Sequence, residues 1–376
     1  AMVPLQNGCY CRKSKSCINT HRLNSSMQNE KITHVGSQLK GHLPNDLVYI
    51  TWTLTSTCNF SCSYCPDELH DKEYKFPQYE GAINFLGVLI TTLPKNAYIN
   101  LGITGGEPSM WPKLVKFLKA AETLFSKATQ KIVIQIDTNL SRTSRYWQDF
   151  VEHNLGHFVV LHPSYHADEM KYNDELFYDN LEIVSQEHLV NASFLLEPKN
   201  FDHIKNLIKR CNSTLPVDTM IVPIRNKFKH DINDDYTEEQ LEYITDIQKN
   251  RFFFSGAKYG KRRSEEPSWP QQVYYNHKKV NFLKVIKNNE HSFKGWKCSA
   301  GSRRFFIEPN GDVYPCSKLI SPRKIVDGKQ KFASDRTHKN FMGNINEGTF
   351  EPLKDYITCP ENWCPCRFDV LAEKIK

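Results

Sequence analysis

Val48-Tyr49-Ile50-Thr51-Trp52-Thr53-Leu54-Thr55-Ser56-Thr57-Cys58-Asn59-Phe60-Ser61-Cys62-Ser63-Tyr64-Cys65 joins a β-branched and aromatic run to three cysteines spaced C-x3-C-x2-C. The run Val48–Leu54 predicts a strand, and Thr55-Ser56-Thr57 ends it. The cysteines therefore sit on the loop at a strand's carboxyl end, the edge where α/β folds build their sites. Three thiolates bind three irons of a [4Fe–4S] cube and leave the fourth iron open to a small molecule. An open position marks a catalytic centre, whereas structural zinc takes four protein ligands and prefers paired C-x2-C units. Here the nearest spare cysteine upstream is Cys17.

Outward from this loop the chain alternates strand-like and helix-like segments. Further strands are predicted at Ile99–Thr104, Ile132–Thr138, Phe158–Leu161, Val190–Leu196 and Thr219–Ile224. Helices are predicted at Tyr79–Thr92, Lys113–Phe125, Arg145–Glu152, Asp174–Glu187 and Asp202–Lys209. One more, Thr237–Lys249, opens on a capping box, Thr237 followed three residues later by Gln240. Such alternation predicts an α/β fold, a parallel sheet with crossover helices, over residues 46–250.

Residues 1–45 are polar and lack periodicity, so they read as an irregular arm. Residues 251–289 carry Gly, Pro, Ser and charge clusters and read as a linker or flexible excursion, and 290–376 as a cysteine-rich module of short strands and turns. With 39% hydrophobic and 24% charged residues the composition is that of a globular protein able to bury a core. The best apolar run, Ala82–Leu93, is broken by Asn84, Gly87 and two threonines, which excludes a membrane helix there. The N-terminus has no apolar signal-peptide core, so a cytoplasmic location is expected, where thiols stay reduced and twelve cysteines read as metal ligands or catalytic thiols. The net charge of +7 is mild for 376 residues and makes no case for nucleic acid. The basic run Lys258, Lys261, Arg262, Arg263 reads as a solvated loop, with an anionic-substrate contact as the alternative; Arg251-Phe252-Phe253-Phe254 reads as packing.

The three-cysteine loop resembles that of the radical S-adenosylmethionine (SAM) superfamily, whose signature places an aromatic residue just before the third cysteine; Tyr64 fills that slot. Gly105-Gly106-Glu107-Pro108, directly after the second strand, resembles the family's SAM-binding Gly-Gly-Glu-Pro segment. Adjacent glycines let backbone approach a ligand, and a carboxylate can accept from an ammonium. Weaker counterparts are Thr138 and Asn139 after strand three, Ser164 and His166 after strand four, and Glu197. The resemblance implies a partial (β/α)6 TIM-like barrel in which Cys58, Cys62 and Cys65 hold a SAM-binding [4Fe–4S] cluster. It further implies that SAM is cleaved reductively to methionine and a 5′-deoxyadenosyl radical that abstracts hydrogen from a substrate C–H bond, with flavodoxin or ferredoxin as reducing partner.

Downstream, Cys298 and Cys316 flank Arg304–Pro315, two short β-rich runs around the turn Pro309-Asn310-Gly311-Asp312, a hairpin candidate; Cys359, Cys364 and Cys366 follow. Gly311, five residues before Cys316, satisfies the spacing of the auxiliary-cluster modules called SPASM and Twitch, which this segment resembles. The full SPASM pattern uses more cysteines than the five here, so the resemblance favours the shorter Twitch form with one auxiliary [4Fe–4S] or [2Fe–2S] cluster. Which four of the five are ligands stays open, and a structural zinc knuckle is the rival.

Cys9, Cys11, Cys17 and His21 have enough ligands for zinc but lie in a polar arm and read as free. Cys211 reads as a small buried residue, with hydrogen-atom donation to a substrate radical as the alternative. No leader-peptide-binding module is evident in 1–45, which tilts the expectation towards a small metabolite such as a sugar or nucleotide derivative over a ribosomally made peptide. A zinc-dependent nucleic-acid-binding protein is the rival from another class.

Overall fold

The computed structural model describes residues 32–37, 46–74, 76–170, 173–224, 234–250, 253–255, 273–280, 291–364 and 367–376. Strands β1 (His34–Ser37), β2 (Leu47–Thr55), β3 (Tyr98–Gly105), β4 (Lys131–Thr138), β5 (Val159–Tyr165), β6 (Leu189–Leu196), β7 (Asp218–Pro223) and β8 (Phe253–Ser255) are followed by β9 (Val273–Tyr275), β10 (Lys278–Val280), β11 (Lys297–Cys298), β12 (Arg304–Ile307), β13 (Val313–Tyr314), β14 (Lys324–Val326), β15 (Lys329–Lys331), β16 (Ile357–Thr358) and β17 (Lys374–Ile375). Helices α1 (Tyr79–Thr92), α2 (Leu114–Phe125), α3 (Ser144–Val151), α5 (Asp174–Ser185, after a single turn, α4, at Ala167–Met170), α6 (Phe201–Thr214) and α7 (Glu238–Asn250) lie between or after the strands.

The main sheet has the order β13-β12-β2-β3-β4-β5-β6-β7-β8. From β12 to β7 every neighbouring pair is parallel, and β13 and β8 close the two edges antiparallel. The sheet is open, as a partial barrel should be. Strand alternation puts Val48, Ile50, Trp52 and Leu54 of β2 against the helices, where Trp52 meets Phe85 of α1 and Phe117 of α2 edge-on at 6.0 and 5.7 Å. The capping box forms as the sequence predicts: Gln240 N–H donates to Thr237 Oγ1 at 3.2 Å and Thr237 N–H to Gln240 Oε1 at 3.1 Å.

On the concave face, the amino-terminal half is apolar. Leu47, Tyr49, Tyr98, Val133 and Val160 pack there against a second sheet, β10-β9-β1-β17-β11-β16, and the helix Arg367–Leu371. Phe368 of that helix approaches Gly102, where an added Cβ would lie 3.0 Å from its ring.

Three expectations are corrected. Residues 34–37 are not an irregular arm: β1 pairs with β9 and β17, and Val35 is buried. Its pairing partners lie far along the chain, so four residues carry no local signal. Residues 251–289 are more than a linker, since they supply β8 and the β9–β10 hairpin, whose turn residues Asn276 and His277 take φ of 45° and 63°. Nor is the cysteine-rich module a separate lobe, because β12 joins the main sheet alongside β2, from Arg304 opposite Tyr49 to Ile307 opposite Trp52. The hairpin candidate itself forms, with Phe306 opposite Tyr314. The basic run at 258–263, Phe252, Cys9, Cys11, Cys17, His21 and Cys366 lie outside the described residues. Among the described residues no helix is long and apolar enough to cross a membrane.

Candidate metal centres

The loop carrying Cys58, Cys62 and Cys65 is pinned from three sides at the carboxyl edge of the main sheet. From the end of β3, Gly106 N–H donates to Thr55 O at 2.7 Å and Glu107 N–H to Thr57 O at 2.8 Å. From the end of β4, Asn139 Nδ2 donates to Asn59 Oδ1 at 2.9 Å, and Asn59 Nδ2 to Ser141 Oγ at 2.7 Å. From the ends of β5 and β6, His166 Nδ1 lies 2.8 Å from Tyr64 Oη and 3.5 Å from Cys62 Sγ, and Tyr64 O–H donates to Glu197 Oε1 at 3.2 Å. Burial holds His166 at a pKa of about 4, hence neutral.

The donor set suits an iron–sulfur cluster. Burial pushes the Cys58 thiol up to about 11 and Cys65 to about 12, and raises Cys62 further; the charge of Glu107 adds to the rise at Cys58, that of Cys65 and Cys58 at Cys62, and that of Cys58 at Cys65. Bare, these thiols keep their protons; a cluster's iron charge would draw all three to thiolate.

Gly105 takes φ +129°, and a Cβ on Gly106 would fall 2.2 Å from Thr57 O, so this pair has to be glycine for the two loops to touch. Glu107 is tied to the protein around it. Its carboxylate is 1% exposed and accepts from Thr138 Oγ1 (2.6 Å), Ser109 N–H (3.0 Å) and Asn139 N–H (2.6 Å). The side chain thereby fixes the neighbouring loops, with two donors on Oε1 and one on Oε2. Pro108 opens a short 3-10 turn behind it.

Ser164 does not follow its strand but lies within β5, opposite Ser193 of β6; Pro163, a poor strand former, hid the strand's last turn from the sequence. Both serines point to the concave face with Asp137, His162 and Asn191, which sequence reasoning missed. Asn191 Nδ2 lies 3.3 Å from His162 Nε2, and His162 Nδ1 3.5 Å from Asp137 Oδ1, a polar chain across β4, β5 and β6. Their signal was alternation: each follows a core residue on the opposite face.

Cys211 is 0% exposed in the core beneath α6, with its thiol pushed to about 12 by burial, so the hydrogen-donor alternative is set aside for want of access.

In the carboxyl-terminal region Cys298, Cys316, Cys359 and Cys364 line a single cavity. They come from β11, the residues after β13, and the segment between β16 and the helix Arg367–Leu371. Burial raises the Cys316 and Cys364 thiols well above the ordinary range and Cys359 as well. Four thiols facing one cavity are the donor set of a cluster with complete protein ligation. The buried pair Arg304–Asp369, 2.7 Å apart, forms part of its wall. Among the described residues, no three His, Cys, Asp or Glu side chains converge on a single-ion site.

Residues 298–354 match the SPASM family, an iron–sulfur cluster-binding domain. Over 129 residues the chain is 30% identical to a GTP 3′,8-cyclase of Psychromonas ingrahamii, spanning 32% of this chain and 34% of that protein. It is 33% identical over 135 residues to the GTP 3′,8-cyclase of Actinobacillus pleuropneumoniae, spanning 32% and 36%. The matched portion thus covers only 34% and 36% of these curated relatives. Among solved structures, native anSMEcpe with bound AdoMet and Cp18Cys peptide is similar over 81% of this chain and 78% of its own, at 14% identity and a TM-score of 0.48. Streptococcus suis SuiB bound to precursor peptide SuiA is similar over 78% and 63%, at 14% identity and a TM-score of 0.45.

Proposed function

We propose that this chain, a radical SAM enzyme with a SPASM iron–sulfur domain, abstracts hydrogen from a polar small molecule seated on the concave face of its parallel sheet. The observation that carries this is the pinning of the three-thiol loop over the carboxyl ends of β3 to β6, beside the sheet face that carries Asp137, His162 and Asn191. An iron–sulfur cluster held by Cys58, Cys62 and Cys65 would, with SAM bound, supply the one-electron reduction that opens hydrogen abstraction from an unactivated C–H bond.

The chain's own residues then have distinct tasks. Cys58, Cys62 and Cys65 hold three irons. The Gly105–Gly106 backbone gives SAM a surface without side chains, while Glu107 holds Thr138 and Asn139 at its rim. Tyr64, His166 and Glu197 form a hydrogen-bonded wall that fixes the loop's third side. Asp137, His162, Asn191, Ser164 and Ser193 offer donors and acceptors suited to hydroxyls and ring nitrogens. The matched relatives' activity, GTP 3′,8-cyclase, concerns a nucleotide and supports a small polar substrate. Cys298, Cys316, Cys359 and Cys364 hold an auxiliary cluster.

Anaerobic reconstitution, reduction with dithionite and chromatography for 5′-deoxyadenosine test the chemistry. Product is expected from the intact chain and none from the triple variant Cys58→Ala, Cys62→Ala, Cys65→Ala; product surviving in that variant, or absent from the fully loaded chain, overturns it. For the substrate, nucleotides and sugar nucleotides deuterated at carbon are offered. Deuterium in 5′-deoxyadenosine supports the small-molecule reading, and failure across both classes while SAM is still cleaved removes it.

A further inference from the structure

We propose that Lys374 is the counter-charge of the auxiliary cluster, a buried ammonium that raises the cluster's reduction potential by favouring its more negative, reduced state; this rests on the cluster proposed for Cys298, Cys316, Cys359 and Cys364. In the antiparallel pair of β11 and β17, Cys298 lies directly opposite Lys374. Residues paired in this way project from the same face of a sheet, with Cβ atoms about 4.5–5.5 Å apart. Cys298 lines the four-cysteine cavity, and Lys374 beside it is 0% exposed.

Among the described residues, Arg304 and Lys374 are the buried side chains of lysine or arginine, and both stand at this cavity. Their circumstances differ. Arg304 Nε lies 2.7 Å from Asp369, so its charge is cancelled where it sits. Lys374 has no carboxylate partner among the described residues, and the neighbouring Glu373 is turned to His34 and Tyr356. Lys374 Nζ donates instead to the carbonyls of Ala372 at 2.7 Å, Val370 at 3.3 Å and Asp369, and lies 4.8 Å from the centre of the Phe293 ring. Carbonyls and a ring solvate an ammonium without neutralising it, so a full positive charge stays in a site shielded from water.

Four thiolates outweigh the positive iron–sulfide core, so a four-cysteine cluster is a net anion, and the electron that reduces it makes it more negative with no atom transferred. The field of Lys374 reaches beyond Cys298: it is the strongest charge acting on Cys364 and the strongest cation acting on Cys359. Around Cys316 the charges of Asp369 and Arg304 oppose each other. On the cavity wall Lys318 and Glu361 are half-buried, opposite in sign and partly screened by water. Lys374 is therefore the uncompensated charge, and its attraction grows as the cluster gains an electron.

The test uses the reconstituted full chain with Lys374→Gln, which keeps N–H donors for the carbonyls but loses the charge, and with Lys374→Arg, which keeps both. Redox potentiometry read by electron paramagnetic resonance follows the auxiliary cluster, whose signal is identified in the Cys58→Ala, Cys62→Ala, Cys65→Ala variant. At a fixed solution potential, the ratio of reduced to oxidised cluster is expected to fall about tenfold in Lys374→Gln, a midpoint lower by about 59 mV for a one-electron couple. Lys374→Arg should restore it. Lys376→Met removes an exposed cation two residues further on, one that water already screens, and should leave the ratio where it is. An unchanged ratio in Lys374→Gln, or the same fall in Lys374→Arg or Lys376→Met, overturns the proposal. Loss of the cluster from Lys374→Gln makes Lys374 a structural residue and overturns it too. A triple-alanine chain without any iron–sulfur signal defeats the auxiliary-cluster assignment instead, a separate outcome.

Discussion

Gly106 has no room for a Cβ, because the atom in the way, Thr57 O, is backbone and belongs to the cluster loop. Gly106→Ala is therefore expected to cost about 1–3 kcal/mol and to displace the loop. A lowered thermal midpoint together with lost SAM binding in the reconstituted chain checks it. Cys211 offers a pH-dependent case. Its folded pKa of about 12 exceeds the ordinary 9.0, so between those values the unfolded chain gives up a proton that the folded chain keeps, and stability falls as pH rises. The cost of Cys211→Ala should then be largest at pH 7–8 and smaller by about 1 kcal/mol at pH 10, read by urea denaturation of both proteins. At this scale the three-cysteine spacing was legible in the sequence, and the glycine pair through its resemblance to a family segment. What the sequence could not show is that Glu107 accepts from Ser109 of its own loop and from Thr138 and Asn139 at the end of the neighbouring strand β4.

Loops at the carboxyl ends of successive strands meet because the strands are parallel and in register, so the elements place Asn59, Asn139 and His166 around one loop. His162 stands in the middle of the polar chain, between Asn191 and Asp137. His162→Ala should raise the KM for substrate about tenfold and leave substrate-free SAM cleavage unchanged, a split measured by steady-state kinetics. In the carboxyl-terminal region, Cys298→Ala with Cys316→Ala is expected to lower iron from roughly seven to eight per chain to about four, if both centres are [4Fe–4S]. Iron analysis and electron paramagnetic resonance of the reduced protein read the loss. Helices with strong periodicity were legible, as the capping box at Thr237 and Gln240 illustrates. Strands of two to four residues, β1, β9 and β17 among them, were not, because so short a segment carries no period and owes its shape to its pairing partner.

Across the whole molecule, β12 ties the auxiliary region to β2 and hence to the strand that launches the first cluster loop. Arg304 on β12 and Asp369 on the helix Arg367–Leu371 form a buried ion pair, with Ser317 Oγ donating to the same carboxylate at 2.6 Å. Arg304→Ala leaves Asp369 buried without its cation, an expected loss of about 3–5 kcal/mol. The thermal midpoint should drop, and iron should be lost from the auxiliary cavity before the first site. By itself the sequence determined the α/β alternation, the three-thiol loop and the glycine pair, because each is a local pattern of spacing or period. Only the tertiary structure decided that β12 belongs to the main sheet, that four distant cysteines face one cavity, and that Asp137, His162 and Asn191 share one face. Those are contacts between segments remote in sequence, set by which surfaces can be buried together and leaving no mark in any short window of the chain.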